Sequence, residues 1–402
     1  MLSYARDLVW YVWFRPDGFV AGAAGLVVTS VLVTIGAPAL ARRNGKVQAF
    51  LASIRFPVWT FLAFCLADWL LLKMLPVLEL SFSDNTVLCL SASLAVRVAL
   101  VWSLAIAAPL TRRLRRRSTT RPRTRDIAIL FAAVNLAFSA LQFDAYTVEP
   151  LLVETTELSL VSSHLDPAAP PVRIVHLTDT HIERISYRER SVIKKVNALQ
   201  PDIVVFTGDY INTSYHGDAT AHQQFREFVG QIDAPYGIYA TRGTVEPSPG
   251  YMASLIEGTG VIWLEQEAVT VDVRGQRVTL VGVNCDHNQG DVVRLDQAMK
   301  NVPDDTFTLL LFHSPDLIHE AAAYDIDLYV GGHTHGGQIR LPFYGAVVTA
   351  SKYGKQYEAG LYEEGDTTMY ISRGIGFEGS VMPRARFLCR PEIVAIELSG
   401  AR

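Results

Sequence analysis

Four apolar stretches crowd the first third of this 402-residue chain, near residues 19–40, 56–75, 87–110 and 126–143. Each is close to the length of about 20 residues that a helix needs to cross the hydrocarbon core of a bilayer. Inside lipid the backbone has no water to bond, so such segments are restricted to helices whose N–H and C=O groups satisfy one another. The expectation is a transmembrane region over 1–145, built as a bundle of four helices, followed by a separate domain over 150–402. A cleaved signal peptide has one short apolar core and a small-residue cleavage site; several long segments in succession point instead to permanent insertion. The same segments account for a hydrophobic content of 50%, high for a soluble chain.

Charge between the segments sets an orientation, because loops rich in Lys and Arg stay in the cytoplasm. After the first stretch come Arg42, Arg43, Lys46 and Arg55; after the third come Arg112, Arg113, Arg115, Arg116, Arg117, Arg121, Arg123 and Arg125. Between them, Pro76–Thr86 holds Glu79 and Asp84 and no Lys or Arg. The first and third loops are placed inside and the second outside. The chain then leaves its fourth span on the extracytoplasmic side of the cell membrane. An arginine run also suits nucleic acid, but one wedged between two hydrophobic helices reads as a topology signal, and no nucleic-acid partner is expected. Asp68 and Arg97 lie within spans, where an ionised group facing lipid is costly. Each is expected to face the bundle or a partner; the two pairing with each other is one option, and a place for Asp68 near a helix end is another. The functional alternative is a proton or substrate path, for which nothing else polar repeats at helical spacing; internal repeats that would mark a transporter are missing too.

From about residue 150 the pattern changes to short β-rich runs alternating with helix-like segments, as in a layered α/β domain. Val172–Leu177, Ile203–Phe206, Phe307–Phe312 and Leu328–Val330 read as buried strands, and Tyr187–Leu199 as a helix. Val269–Val273 and Arg277–Val283 read as a hairpin around Arg274-Gly275. Chemistry-bearing residues stand where strands stop: Asp179-Thr180-His181, Gly208-Asp209, Gly243-Thr244-Val245-Glu246, His313, and Gly332-His333-Thr334-His335-Gly336-Gly337. Open sheets build their sites at strand ends. An Asp-x-His pair offers two ligands on neighbouring positions, and a lone Asp can bridge two cations through its two oxygens. Mixed imidazole and carboxylate donors suit two divalent transition metal ions such as Zn, Fe, Mn or Ni. The four cysteines, Cys65, Cys89, Cys285 and Cys389, include no Cys-x-x-Cys pair, so neither a zinc ribbon nor a disulfide framework is indicated. Cys285 and Cys389 are expected as buried thiols, with a disulfide between them as the alternative in an oxidising compartment.

Taken in order, Asp179-x-His181, Gly208-Asp209, Gly243-x-x-Glu246, His313 and Gly332-His333-x-His335 resemble the pattern of the calcineurin-like metallophosphoesterase superfamily, over roughly residues 150–402. Ser372-Arg373-Gly374-Ile375-Gly376, with Arg386 and Pro391-Glu392-Ile393, resembles the closing segment of its membrane-linked branch. The resemblance implies a two-sheet α/β core flanked by helices and a dinuclear site, with Asp179, His181, Asp209 and His335 on one ion and Asp209, His313 and His333 on the other. Asp209, His313, His333 and His335 would then act in catalysis.

The sequence departs from the family at its third motif, usually Gly-Asn-His-Asp or Gly-Asn-His-Glu. Thr244 stands in place of the Asn that gives a carbonyl to the second ion, and a hydroxyl is a shorter and poorer neutral ligand. Val245 replaces a His that is a candidate proton donor to the leaving group. Asn212 and Asn284 are the side chains considered as substitutes for the missing amide. Arg373 and Arg386 could contact phosphate or serve structure, and Gly336 and Gly337 could admit a phosphate or make a tight turn. Two readings follow: a membrane-anchored phosphomonoesterase or phosphodiesterase, with a phospholipid or other lipid-linked phosphate as expected substrate, or a catalytically impaired phosphoesterase-fold module that binds or regulates.

Overall fold

The computed structural model describes residues 45–82, 86–114, 124–379 and 383–401. The expected span near 19–40, with Arg42 and Arg43, lies outside them, as do Arg115, Arg116, Arg117, Arg121 and Arg123. Two compact units divide the chain, one holding the N-terminal helices as far as Asp144 and the other running from Ala145 to Glu378 and again from Ala385.

The helical unit contains α1 (Gly45–Met74), α2 (Thr86–Leu114) and α3 (Thr124–Phe143). The last continues through a π turn, Asp144–Val148, and a 3-10 turn, Glu149–Leu151. Among the described residues one helical stretch, Ile129–Leu151, is long and apolar enough to cross a membrane. Its polarity is arranged inside out. Asn135 and Gln142 are buried with Asp68, Ser93 and Arg97, while Leu66, Leu70, Leu130, Leu136 and Leu141 are exposed. In water that arrangement would leave apolar surface unsatisfied; facing hydrocarbon it is the stable one.

Arg97 is the hub of this unit. Its Nη2 and Nε donate to the two oxygens of Asp68 at 2.6 and 2.7 Å, and its remaining N–H groups reach Asn135 Oδ1 (3.0 Å), Ser139 Oγ (2.7 Å) and Gln142 Oε1 (3.0 Å). The Phe64 and Phe138 rings lie against the guanidinium, each centroid 5.0 Å away. Asp68 and Arg97 therefore pair, and polar groups do recur at helical spacing, contrary to the sequence reading: Asn135, Ser139 and Gln142 share one face of α3. Their acceptors complete the shell of one buried cation instead of lining a path.

The second unit is built from two six-stranded sheets. In the first, β2 (Val172–Leu177), β3 (Ile203–Phe206), β4 (Ile238–Ala240) and β5 (Ile262–Trp263) run parallel, and β14 (Glu392–Gly400) joins antiparallel to β2 with β1 (Glu154–Ser162) beyond it. In the second, β7 (Gln276–Val283), β8 (Phe307–Leu311), β9 (Leu328–Gly331) and β13 (Thr367–Ile371) run parallel between antiparallel edges β6 (Gln266–Val273) and β12 (Gly360–Glu364). Arg274 (φ 55°) and Gly275 (φ 85°) make the β6–β7 turn, both left-handed as a two-residue turn of type I′ requires.

Strand period explains the layers. Ile174, Ile203, Val205, Leu309 and Leu311 point between the sheets. Their neighbours Val175, Val204 and Phe206 pack on α4 (Tyr187–Ala198) and α5 (Ala219–Val229), and Leu310 and Phe312 on α7 (Gly290–Met299) and α8 (Ile318–Ala322), a short α6 (Pro249–Ile256) completing the first layer. With both faces covered, the inner strands read as unbroken apolar runs, each buried side chain contributing roughly 1.5–3 kcal/mol. A capping box of Ser186 and Glu189 starts α4. Cys285 and Cys389 are separate, buried thiols.

Candidate metal centre

The parallel strands of both sheets deliver their carboxyl ends to one place. Asp179 and His181 follow β2, Asp209 follows β3, and the 242–246 loop follows β4; His313 follows β8, and His333 and His335 follow β9. The six acids and histidines meet as two groups, Asp179 with His181 and His335, and Asp209 with His313 and His333. Each group draws on both sheets.

The backbone is bent to aim them. Asp179, His181, Asp209, His333 and His335 hold φ of 51°, 41°, 56°, 67° and 49°, the left-handed region that side chains with a Cβ seldom enter. Such strain clusters at functional sites, held by its surroundings. Two glycines permit the approach: a Cβ on Gly208 would lie 2.4 Å from Gly243 Cα, and one on Gly332 would lie 2.0 Å from Asp179 Oδ2.

His335 Nε2 is 3.1 Å from Asp179 Oδ1 and 3.2 Å from His181 Nε2. His313 Nε2 is 3.1 Å from Asp209 Oδ2, and His181 Nε2 is 3.7 Å from the same oxygen. His313 Nδ1 donates to the Thr207 carbonyl at 2.6 Å, which fixes the tautomer and leaves Nε2 facing the carboxylates. Burial alone would make His313 harder to protonate, but Asp209 and Asp179 outweigh it and hold the imidazole up at about 9. Burial, then its neighbour His313, pushes His333 down to about 3; burial, then His181 and Arg386, pushes His335 well down. Burial raises Asp179, whereas at Asp209 the facing imidazoles overcome burial and hold the carboxyl well below its usual range.

These features fit divalent cations. Ligand nitrogens about 2.0–2.1 Å from a tetrahedral ion stand roughly 3.3 Å apart. His181 and His335 present their Nε2 atoms 3.2 Å apart, close to that spacing.

The third motif works through its backbone. Thr244 and Val245 N–H groups donate to Asp209 Oδ1 at 2.7 and 3.0 Å, and Thr244 Oγ1 stands 3.4 Å from each Asp209 oxygen. Asp209 thus has one oxygen, Oδ1, accepting from amides and the other, Oδ2, toward both histidine groups. Buried Glu246 accepts from the N–H groups of Asp209 (3.2 Å), Tyr210 (2.8 Å) and Gly243 (2.8 Å), pinning one loop to the other.

Several candidates prove structural. Asn284 Oδ1 accepts from Arg242 N–H and Trp263 Nε1, and Asn212 Oδ1 caps the turn at Ser214, so neither amide oxygen is offered to the site. Arg386 is fully buried and donates to the carbonyls of Arg373, Gly374 and Cys389; Arg373 pairs with Glu392 and Glu154. Gly336 and Gly337 hold φ of 59° and 82° in a close turn packed on Arg373 and Ala346.

The sequence reading missed His287. It follows β7 as the other site residues follow their strands, has φ of 53°, and sets its ring centroid 4.5 Å from that of His333, tilted by 46°, while Nδ1 lies 3.5 Å from Asp316 Oδ2. Its position after a strand was the available signal; no motif spacing marks it.

Comparison with known proteins agrees with this geometry. The sequence profile of the calcineurin-like phosphoesterases matches residues 172–337. The chain is 32% identical over 268 residues to the uncharacterized metallophosphoesterase YkuE of Bacillus subtilis, covering 63% of this chain and 88% of that one. It is 29% identical over 245 residues to phosphodiesterase YaeI of Escherichia coli (57% of this chain, 83% of that one). A Bos taurus transmembrane protein with metallophosphoesterase domain is 29% identical over 272 residues (63% and 58%).

Proposed function

The chain belongs to the calcineurin-like metallophosphoesterase superfamily, and from that premise we propose that it is a membrane-anchored hydrolase of phosphomonoesters or phosphodiesters, acting with two divalent metal ions at the extracytoplasmic face. The observation that carries this reading is the pairing of two three-donor groups, each within 4.8 Å, around Asp209 Oδ2. Asp179, His181, Asp209 and His335 would hold one ion and Asp209, His313 and His333 the other. Two such cations supply Lewis-acid stabilisation of the phosphoryl oxygens and a water acid enough to attack at neutral pH.

The chain's own groups do the rest. Thr244 and Val245 amides and the Glu246 clamp hold Asp209 in place. Val245 has no proton to give a leaving group, so the site favours esters whose leaving oxygen is already a weak base. His287, partly exposed beside His333, is placed to meet substrate. Purified full-length chain, assayed for metal content and for turnover of soluble monoesters and diesters, tests the reading; a metal-free, inactive protein would leave the binding or regulatory module as the answer.

Thr244→Asn is expected to raise affinity for the second ion, because an amide carbonyl reaches further than a hydroxyl standing 3.4 Å from Asp209. Metal titration checks this, and an unchanged stoichiometry and rate would show that Thr244 does not limit the site.

Anchoring is proposed through four spans in 1–145, with 150–402 as the catalytic domain, supported by the apolar stretch Ile129–Leu151 and the outward-facing leucines of the helical unit. The loop charges give the orientation. A reporter fused after Pro150 is expected to be active outside the cytoplasm and one fused near Ser118 inside; the reverse would overturn the location. A phospholipid or other lipid-linked phosphate is the proposed substrate, since anchoring raises the local concentration of membrane-held substrate only.

A further inference from the structure

We propose that the hairpin Arg340–Val348, which grows directly from the turn carrying His335, dips into an anionic lipid surface and seats the metal centre over membrane-held substrate. This rests on the membrane-anchored reading above and adds a second point of contact to it. The hairpin joins β10 (Arg340–Leu341) to β11 (Gly345–Ala346). Leu341, Pro342, Phe343, Tyr344, Val347 and Val348 are all exposed in it. Single exposed apolar residues are ordinary on a protein surface; six within eight positions are not.

Phe343 is the plainest sign. The Tyr344 N–H donates to the Leu341 carbonyl at 3.2 Å, closing a turn with Pro342 and Phe343 at its centre. Phe343 has φ of 64°, at the position where such a turn after Pro favours Gly or Asn. Its side chain is fully exposed. A bulky aromatic therefore occupies a strained backbone position and gains no burial among the described residues, so whatever it serves lies beyond them. Leu388 repeats the pattern, half-exposed with φ of 53°.

The surroundings select lipid. The strap bearing Leu388 ties the hairpin to the point where the chain enters the unit: Phe387 accepts from Arg340 N–H at 2.9 Å, Arg386 N–H donates to Ala145 O at 2.9 Å, and Leu388 N–H donates to Glu149 at 2.9 Å. Ala145 follows the apolar α3 helix by two residues in sequence. The hairpin thus lies at the end of the unit from which the proposed anchor departs. Charge agrees: from Gln338 to Glu358 there are three basic residues and one acidic, in a chain whose net charge is -4. Lys355 Nζ sits 3.5 Å from the Tyr344 ring centroid, and Lys352 is exposed. Aromatic and aliphatic tips flanked by lysines are the composition of segments that rest at a membrane interface.

The test uses full-length chain in vesicles of phosphatidylcholine and phosphatidylglycerol, carrying an environment-sensitive fluorophore on Phe343→Cys, on Leu136→Cys in α3, or on Val293→Cys, exposed on α7. Signal from the unsubstituted chain corrects for Cys65. Quenching by spin-labelled lipids is expected at 136 and 343 and not at 293. The pair Leu341→Asp with Phe343→Asp is expected to lower turnover of a lipid phosphoester in vesicles about tenfold, leaving a soluble nitrophenyl ester unaffected. Quenching at 136 without quenching at 343 overturns the hairpin proposal and leaves anchoring intact. Protection of 343 by energy transfer between labelled copies, independent of lipid, overturns it in favour of a second chain. Absence of quenching at both positions overturns the anchored reading and the hairpin proposal together.

Discussion

Asp209→Asn is expected to abolish hydrolysis, lowering turnover by at least about 10³-fold, and to lower bound metal below two ions per chain. The substitution keeps volume and removes the charge. Asp209 Oδ1 accepts from the Thr244 and Val245 N–H groups, while Oδ2 faces His313 at 3.1 Å and His181 at 3.7 Å. An Asn must keep its carbonyl toward those two donors, because turning its NH2 to them would set donors against donors. The NH2 group then occupies the Oδ2 position, and an amide nitrogen has no lone pair to give a cation. His335→Ala is expected to act in the same direction by removing the nitrogen that faces His181 at 3.2 Å. Metal content per chain and turnover of one soluble ester, measured on the same preparation, decide it. An Asn variant that keeps both ions and a rate within about tenfold of the parent would refute the central place given to this carboxylate.

Arg97→Leu is expected to destabilise the helical unit by roughly 3–5 kcal/mol, the loss seen when one member of a buried ion pair is removed and the other remains. Asp68 would be left ionised or forced to protonate, and Asn135, Ser139 and Gln142 would lose the donor they share. Combining Arg97→Leu with Asp68→Leu is expected to cost less than the single change, since no charge then remains unpaired. Unfolding of the purified chain in detergent or bilayer, measured for both singles and the double, supplies the comparison. A single variant within about 1 kcal/mol of the parent would contradict the structural role. Unchanged stability with altered proton or solute movement would restore the conducting path set aside above.

Much of the layered core was legible because buried parallel strands leave unbroken apolar runs: β2 and β3 have the bounds read from sequence, and β8 and β9 differ by one residue. The stretch read over 126–143 runs on as helix through irregular turns to Leu151, which no periodicity announces. Recurrence of Asn135, Ser139 and Gln142 was overlooked because amides and hydroxyls pass as neutral in an apolar helix until a buried guanidinium gathers them.

At the site, the sequence by itself determined which side chains stand as candidates, since Asp179, His181, Asp209, His313, His333 and His335 all lie just past runs that read as strands. It could not determine that three come from each sheet and meet, because strand pairing between sheets leaves no local trace. Nor could it determine that Asn284 and Arg386 are consumed by structure, that His287 lies against His333, or that Phe343 stands free on a strained turn. A residue type fixes which bonds a group can make; which of them it does make is set by neighbours far away in sequence, and only packing brings those neighbours within reach.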